Sequence, residues 1–331
     1  MPPNELSAGA LLEISGSYWK TCTLHAGVEL DLFTLLDGLP QPVEAVAASI
    51  GADPRATGML LHALAAMGLL AKAPEGFRCP TSAARWLSRR SESYLGYIIG
   101  HHRQLLPSWS RLSEAVRRGQ PVRTPSALQD QEARQNFLMG MFNLAMALAP
   151  RIVPRIPLEG RRRLLDLGGG PGTYAIHFCR HNPGLKATVF DRPSTREFAE
   201  RTVARFGLQD RVAFEAGDYL TDPLPGAYDV AWLSHILHGE GPEDAARVVA
   251  KAASALAPGG LLIIHEFILD DTLDAPLFPA LFSLNMLLGT AGGQAYAEGR
   301  LREMMSAAGV AGIVRVPIDS PNQSGLLMGR V

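Results

Sequence analysis

The fold of this chain is decided by the stretch Leu164-Leu165-Asp166-Leu167-Gly168-Gly169-Gly170-Pro171-Gly172-Thr173. Leucines that end abruptly in a glycine cluster predict a buried parallel strand and a tight turn, and residues 174–180 follow as a predicted helix. Glycines leave the backbone open to a ligand, and a helix N-terminus attracts an anionic or polar group. We therefore expect this turn to be a binding loop.

A second predicted strand carries a carboxylate at the distance that nucleoside-binding folds require. Residues 187–190 form this strand, and Asp191 follows it, 19 residues after Gly172. From that position a carboxylate accepts hydrogen bonds from both ribose hydroxyls. The two elements together predict a bound nucleoside.

The spacing of the glycines indicates which nucleoside this is. Nicotinamide and flavin enzymes have the pattern G-x-G-x-x-G, whereas this chain has G-x-G-x-G and places Thr173 where the third glycine should be. Asp166 precedes the loop, and a carboxylate there disfavours a pyrophosphate but suits the α-amino group of S-adenosylmethionine (SAM). SAM is therefore the expected cofactor.

These motifs resemble those of a known enzyme class. D-x-G-x-G-x-G, Asp191 and the segment Gly217-Asp218-Tyr219 after the third strand look like the SAM motifs of class I methyltransferases. Over nearly the whole chain the resemblance is to small-molecule O-methyltransferases, which include plant caffeate-type and bacterial polyketide-tailoring enzymes. It implies a Rossmann-like α/β domain with a mostly parallel seven-stranded sheet, preceded by an α-helical, winged-helix-like dimerisation domain, and a role in secondary metabolism.

Composition and charge set the class of protein. The chain has 331 residues, of which 47% are hydrophobic and 19% charged, and its net charge is −1. This balance gives no sign of nucleic-acid or membrane partners. The longest apolar stretches, such as Leu261–Ile264, are strand-sized, and residues 1–5 lack the features of a signal peptide. We expect a cytoplasmic protein, and its three scattered cysteines predict neither disulfides nor a zinc knuckle.

Three parts of the chain follow from this pattern. Residues 1–100 are the expected dimerisation domain, residues 101–150 are connecting helices that line the substrate pocket, and residues 151–331 are the SAM-binding domain. Alternating strands and helices in the last part predict a doubly wound parallel sheet. The predicted strands are 163–167, 187–190, 212–215, 228–233, 261–265 after a turn at 258–260, and an antiparallel hairpin of 313–316 and 325–329.

The first part has the pattern of a winged helix. Residues 11–36 predict one or two amphipathic helices, residues 43–50 and 55–67 a helix-turn-helix with Asp53 as the cap, and residues 68–79 a β-hairpin. DNA binding is disfavoured, because the second helix offers only Arg55 and His62 as cations. An apolar helical module of this kind is a better candidate for a homodimer interface, which the resemblance also implies.

The connecting helices include one that is rich in methionine. After a predicted loop at residues 119–125, the helix 132–149 carries several Met and Phe side chains, which suit either an ordinary core or an adaptable wall for a flat ligand. The resemblance implies that residues 137–141 lie near SAM and the acceptor. Met141 and Asn143 are therefore expected to contact the acceptor.

Chemistry is expected from the segment 234–240. Methyl transfer to a hydroxyl requires a group that removes the acceptor's proton, and a neutral imidazole suits this task. Family members read Leu-His-Asp-Trp here, which aligns His238 with the catalytic base and leaves His235 one turn earlier. This chain instead has Gly239-Glu240 after the base, which is a departure from the family. Glu266, at the end of the fifth strand, is expected to orient either His238 or a substrate hydroxyl.

The remaining site residues are predicted from their places after the strands or from the resemblance. Asp218 is expected to accept from the adenine amino group, although it could instead only cap the turn at Gly217. Glu298 resembles a family carboxylate near the site and could equally be a helix cap. The expected cofactor-binding residues are Asp166, Gly168, Gly170, Asp191, Arg192, Gly217, Asp218, Tyr219 and Ser234. The expected acceptor-binding residues are Met141, Asn143, His235, Asn285 and Met286.

The alternatives concern a metal and the kind of reaction. His235 and His238, with Glu240, His265 and Glu266, could be ligands, but we expect no metal, because the two histidines should not converge with a carboxylate and the chain resembles the metal-independent branch. The predicted function is methyl transfer to a hydroxyl of a small aromatic molecule. C-methylation of an aromatic or porphyrin-like ring, or SAM binding without transfer, remain open.

Overall fold

The computed structural model describes residues 6–123 and 131–331. Residues 1–5, where no signal peptide was expected, and residues 124 and 125 of the predicted loop lie outside this range. Contacts divide the chain into two compact units. The first comprises Met1–Leu105 with Glu132–Asn143, and the second Leu106–Gln131 with Leu144–Val331.

The first unit contains the winged-helix pattern that the sequence predicts. Asp53 caps the second helix of the helix-turn-helix, since its carboxylate accepts from the backbone N–H of Ala56 at 2.8 Å. The two short strands pair antiparallel as the wing. The elements of this region are α1 (Ala8–Glu29), α2 (Leu32–Leu35), α3 (Val43–Ile50), α4 (Pro54–Ala66), β1 (Ala71–Ala73), β2 (Gly76–Arg78), α5 (Thr81–Leu87) and α6 (Gly96–Trp109).

Helix α1 differs from the expected amphipathic helix. Its buried residues are confined to its C-terminal end, at His25, Gly27 and Val28. Large apolar side chains further forward are exposed, and the exposed fraction reaches 73% for Leu12 and 68% for Trp19. The apolar residues are spread around the helix rather than gathered on one face, and much of this apolar surface has no partner among the described residues.

After α6 the described residues form seven further α-helices. They are α7 (Leu112–Arg118), α8 (Gln131–Ile152), α9 (Thr173–His181), α10 (Arg196–Arg205), α11 (Pro242–Ser254), α12 (Leu277–Gly289) and α13 (Glu298–Ala307). One helical stretch of the described residues, 131–155, is long and apolar enough to cross a membrane, which the strand-sized apolar segments did not suggest. Core helices of globular proteins pass the same test, so length and composition alone are weak evidence of a membrane span.

The sheet confirms the predicted doubly wound order. Its seven strands lie in the order β10-β11-β7-β6-β3-β4-β5. The strands from β7 to β5 pair parallel, whereas β11 pairs antiparallel with both β7 and β10. The strands are β3 (Arg163–Leu167), β4 (Lys186–Asp191), β5 (Val212–Ala216), β6 (Tyr228–Ser234), β7 (Leu256–Glu266), β10 (Ala311–Val316) and β11 (Gly325–Arg330). A separate parallel pair consists of β8 (Ile268–Leu269) and β9 (Tyr296–Ala297).

The predicted turn at residues 258–260 is wrong in one respect. These residues lie within β7, where the pairing with β6 shifts: Tyr228 is opposite Leu256, but Val230 is opposite Leu261. Gly259 has a φ of 76°, in the left-handed region. Residues 258–260 therefore form a bulge-like irregularity within β7 and not a turn that precedes the strand.

Both faces of the central strands are buried, which explains their unbroken apolar sequences. On one face Leu165 packs in the same cluster as residues of α11 and α13, and on the other face Leu164 packs with residues of α9. The strand order reverses at β3, because β4 lies on one side of β3 and β6 lies on the other. Ligands in such sheets bind at the carboxyl ends of the strands beside this reversal.

Candidate active site

The predicted polar residues lie at the carboxyl ends of neighbouring strands. Asp166 is the next-to-last residue of β3, and three other polar residues end their strands: Asp191 ends β4, Ser234 ends β6 and Glu266 ends β7. The strands carrying them are adjacent, and Ser234 is directly opposite His265 in the β6–β7 register. The second unit therefore gathers these side chains along one edge of its sheet.

The glycine loop, residues 168–172, has the backbone conformation that its sequence predicts. Gly168, Gly170 and Gly172 have φ values of 65°, 55° and 76°, in the left-handed region. A side chain at Gly170 would meet no protein atom within 4 Å, so this position opens onto free space rather than onto the core. The loop leaves room there for a bound ligand.

Asp166 is a buried carboxylate with few partners. It is 1% exposed and accepts one hydrogen bond, from the backbone N–H of Ala175 in α9, at 3.2 Å. Burial raises the pKa of Asp166 to about 7, and the charge of Asp191 acts in the same direction. Because no cation of the described residues forms an ion pair with it, Asp166 is suited to bind a positively charged ligand group.

Asp191 holds the glycine loop against β4. Its Oδ2 accepts from the backbone N–H of Gly170 at 2.8 Å, and its Oδ1 accepts from that of Arg192 at 2.6 Å and from the Thr195 hydroxyl at 3.3 Å. A carboxylate has about four acceptor positions, so these three bonds leave capacity for a ligand hydroxyl. Arg192 is exposed and contributes its backbone here.

Asp218 and Tyr219 have protein partners of their own. Asp218 is exposed, and its Oδ1 accepts from the backbone N–H of Leu220 at 2.8 Å, which is the turn-capping contact considered as the alternative. The Tyr219 hydroxyl donates to Glu240 Oε1 at 2.8 Å. Gly217, before them, is buried against the Phe190 ring. The family departure at Glu240 therefore has a structural use, since this carboxylate binds Tyr219 instead of the candidate base.

His238 and Glu266 form the central pair of the site. Nδ1 of His238 lies 2.8 Å from Oε2 of Glu266, and Oε1 of Glu266 accepts from the backbone N–H of Leu237 at 2.9 Å. Burial alone would raise the pKa of Glu266, but the charges of His238 and His235 and hydrogen bonds from them hold it well below its usual range. An ionised carboxylate at Nδ1 requires the proton on that nitrogen, which leaves Nε2 of a neutral His238 as an acceptor.

Two further histidines lie beside this pair, and only His235 approaches Glu266. His265 is fully buried, with Nδ1 at 2.9 Å from the Ser234 hydroxyl and Nε2 at 2.9 Å from the Ser324 hydroxyl. Burial lowers the pKa of His265 well below its usual value, as does the charge of His235, so its ring is neutral. His235 has a φ of 56° and its Nδ1 is 3.6 Å from Oε2 of Glu266. Ser234 is thus engaged inside the protein.

The two histidines and the carboxylate converge, contrary to the argument from sequence. His235, His238 and Glu266 each place one possible ligand atom within 4.8 Å of the others. These are ligand types that zinc binds. The hydrogen bond between His238 and Glu266 accounts for their spacing without an ion, and the absence of a metal stays a prediction.

An aromatic cluster that the sequence analysis did not identify surrounds the His238 ring. The Phe267 ring stacks on it with centroids 5.7 Å apart, and the Phe282 ring meets it edge-on at 4.8 Å. Phe278 in turn lies 5.1 Å from Phe267. The signal was present in the chain, since Phe267 directly follows Glu266 and Phe282 precedes Asn285 by one helical turn. These rings form an apolar wall that suits a flat ligand.

The predicted acceptor residues fall in both units. Asn285 lies on α12, and its Oδ1 accepts from Nη2 of Arg123, another residue missed by sequence reasoning, at 2.7 Å. Met286 is buried next to it. Met141 and Asn143 belong to the first unit, where Asn143 donates to the backbone carbonyl of Tyr94. The acceptor roles of these residues stay predictions.

Glu298 has a structural use that explains its position. It begins α13 and pairs with Arg302 and Arg315, each at 2.7 Å. The N-cap of α13 is Ala297, so Glu298 is not the helix cap considered for it, and its carboxylate instead ties the start of α13 to β10.

Two families of known sequences match this chain. An O-methyltransferase domain matches residues 109–311, and an O-methyltransferase dimerisation domain matches residues 12–90. The chain belongs to the O-methyltransferase family. The family predicted from the sequence motifs is therefore confirmed, and so is the presence of a dimerisation domain before the methyltransferase domain.

Individual relatives and a solved structure extend this similarity over the whole methyltransferase. The 3-hydroxy-5-methyl-1-naphthoate 3-O-methyltransferase of Streptomyces sahachiroi is 32% identical, over 99% of this chain and 96% of its own. The tetracenomycin polyketide synthesis 8-O-methyl transferase TcmO of Streptomyces glaucescens is 33% identical, over 97% of this chain and 96% of its own. The structure of PigF with SAH has a TM-score of 0.90 at 25% identity, and covers 98% of this chain and 100% of PigF.

The cofactor of the methyltransferase is SAM, as predicted. The residues present fit this cofactor. Asp166 is buried without a cationic partner in the described chain, which suits the α-amino group, and Gly170 opens onto free space. Asp191 keeps acceptor capacity for a ribose hydroxyl beside that opening.

Proposed function

We propose that the methyltransferase transfers a methyl group to a phenolic hydroxyl of a small aromatic molecule, with His238 as the general base. The observation that carries this proposal is the hydrogen bond of His238 Nδ1 to Glu266, which leaves Nε2 as the acceptor. Among the described residues no hydrogen-bond partner occupies Nε2. A phenol placed against the rings of Phe267 and Phe282 would meet that nitrogen.

SAM supplies, when bound, a methyl group that is already activated on a sulfonium. Asp166, Gly168, Gly170 and Asp191 would hold it at the carboxyl ends of β3 and β4, with further contacts from the other predicted cofactor residues. The chain's own chemical task is then to position the acceptor and to take its hydroxyl proton at His238 Nε2. Such proton transfer contributes about 10²- to 10⁴-fold in rate.

Glu266 acts in this proposal as a positioning residue. It fixes the tautomer and the direction of the His238 ring, and it also binds the backbone N–H groups of Leu237 and His238. The imidazolium that forms during the reaction is stabilised by the same carboxylate. Gly239 and Glu240, which replace the family's Asp-Trp, are not needed for this orientation.

The setting of the enzyme is part of the proposal. We assign it to a cytoplasmic homodimer in secondary metabolism, with residues 1–100 as the dimerisation part, a small-molecule acceptor, and neither nucleic acid nor membrane as a partner. The dimerisation-domain match and the exposed apolar side chains of α1 support the dimer. Similarity to two enzymes of aromatic polyketide and naphthoate methylation supports the acceptor class.

Purified protein, SAM and a panel of hydroxynaphthalenes test the function. We expect S-adenosylhomocysteine and a methyl ether to form in equal amounts, and His238→Ala to reduce kcat by 10²-fold or more with unchanged affinity for S-adenosylhomocysteine. Products methylated on carbon would favour the C-methyl alternative. Cofactor binding with no product from any acceptor would favour a binding protein without transfer.

A further inference from the structure

Arg123 is a half-buried cation that is fixed against helix α12. Its Nη2 donates to Oδ1 of Asn285 at 2.7 Å, and its Nε donates to the Ser108 hydroxyl at 3.3 Å. The backbone N–H of Arg123 also donates to the carbonyl of Leu288 at 2.9 Å. A side chain at position 289 would lie 2.6 Å from Nη1, so Gly289 allows the guanidinium to lie close to the helix.

The charge of this guanidinium is not balanced within the described chain. Arg302 and Arg315 of the second unit pair with the carboxylate of Glu298, whereas Arg211 donates to the backbone carbonyls of residues 179, 182 and 185. Within residues 6–123 and 131–331 the hydrogen-bond partners of Arg123 are neutral oxygens, and burial lowers its pKa without an opposing charge. Enclosing a permanent cation without an anion is costly, and a guanidinium has five N–H donors to offer to one.

The unbalanced charge lies beside the proposed acceptor wall. Phe282 meets the His238 ring at 4.8 Å, and Asn285 is three residues further along the same helix. Side chains at this spacing are neighbours on one face, separated by about 5 Å. Arg123 binds the Asn285 side chain, so its guanidinium lies next to the helix α12 residue that neighbours Phe282.

We propose that Arg123 binds a carboxylate of the acceptor, so that the preferred substrate is a hydroxylated aromatic carboxylate. The inference rests on the proposed function and specifies its substrate. Asn285 and Ser108 position the guanidinium by accepting from Nη2 and Nε, and Nη1, which has no hydrogen-bond partner among the described residues, donates to the acceptor anion. The hydroxyl at the other end of the ring system then meets His238.

Matched acceptors separate this role from a purely structural one. The probes are 3-hydroxynaphthalene-1-carboxylate, its carboxamide and 2-naphthol, assayed with wild type, Arg123→Met, Arg123→Lys and the exposed control Arg118→Met. In Arg123→Met we expect kcat/KM to fall about 10- to 100-fold for the carboxylate and less than 3-fold for the neutral probes. Arg123→Lys should recover part of the loss, and Arg118→Met should resemble wild type.

Several outcomes would overturn the inference. One is an equal loss for all three probes in Arg123→Met, which indicates a structural clamp. Another outcome needs only the wild-type protein, so it does not depend on whether the variant folds. The inference is wrong if wild type has a kcat/KM for the carboxamide within threefold of that for the carboxylate. Failure of the proposed function looks different, because then no probe, charged or neutral, is methylated by wild type.

Discussion

Nδ1 of His238 lies 2.8 Å from Oε2 of Glu266, and the other oxygen of the same carboxylate accepts from the backbone N–H of Leu237 at 2.9 Å. One buried side chain thus fixes both the ring of the candidate base and the backbone that carries it. The residue that holds His238 therefore belongs to the core strand β7 and not to the segment Gly239-Glu240 that follows the histidine. A rigid support of this kind reduces the ways in which the ring can be misdirected.

Glu266→Gln is the substitution that tests this support. Glutamine keeps an oxygen acceptor and the volume of the side chain, but it removes the negative charge beside Nδ1. We expect kcat to fall about 10²-fold while the affinity for S-adenosylhomocysteine stays within twofold of wild type. Glu240→Gln is the matched control, because Glu240 binds Tyr219 and should leave kcat nearly unchanged.

A double variant makes the test specific to the pair. If Glu266 acts through His238, then Glu266→Gln should cause little further loss when it is added to His238→Ala. Losses that simply multiply in the double variant would show that Glu266 acts independently of the base.

Asp166→Asn should weaken cofactor binding and make that binding less dependent on pH. Since the pKa of Asp166 is raised to about 7, ionisation as pH rises through 7 should strengthen the binding of the cationic α-amino group in wild type. Losing a charged hydrogen bond costs about 10- to 100-fold in affinity. Titration calorimetry with S-adenosylhomocysteine between pH 6 and 8 measures both effects, and equal affinities for variant and wild type at pH 8 would exclude the assigned contact.

The same substitution should stabilise the protein without cofactor. A carboxyl whose pKa is raised on folding binds more protons in the folded state, so its contribution to stability is present below about pH 4 and is lost as pH rises through about 7. Asp166→Asn removes that loss, and its melting temperature should exceed that of wild type by an amount that grows from pH 5 to pH 8. A difference independent of pH would show that Asp166 is not neutral when buried.

The strand-turn-helix at the glycine loop and the wing hairpin were predictable because their signals are local. Leucines before glycines determine β3 and the loop, and Asp53 before Pro54 determines the start of α4. The sequence predicted Glu266 at the end of a core strand. Since β7 lies next to β6, this position brings Glu266 close to His238, which follows β6. Local patterns of this kind require no knowledge of distant contacts.

The contacts that the sequence could not predict join distant segments. Arg123 and Asn285 are 162 positions apart, and nothing near either residue specifies the other. The convergence of His235 with His238 depends on a left-handed backbone at His235, which is uncommon outside glycine and could not be expected from its neighbours. Exposed apolar side chains agree with the dimer interface expected for the first part of the chain, but apolar spacing alone could not say that they would lie in the N-terminal half of α1.

Chelation should leave the activity unchanged, whereas added zinc should inhibit it. The proposed base needs no metal, but His235, His238 and Glu266 have possible ligand atoms within 4.8 Å of one another and so could capture zinc. His235→Asn removes one imidazole and suits the left-handed backbone there. We expect the activity that this variant retains to resist zinc. Loss of activity with EDTA, restored by a metal, would contradict the metal-free base.

The exposed apolar side chains of α1 should be covered by a second copy of the chain. Leu12 and Trp19 are 73% and 68% exposed, which is unusual for large apolar groups that remain in water, and the dimerisation-domain match begins at residue 12. We expect light scattering to give twice the chain mass of 35.6 kDa for wild type and a shift toward the single mass for Leu12→Asp with Trp19→Asp. Lys20→Ala, at an exposed charged position of the same helix, is the control. A wild-type protein of single mass at 10 µM, or a double variant that keeps the doubled mass, would place the interface elsewhere, because two carboxylates cannot be buried in an apolar contact without a large loss of affinity.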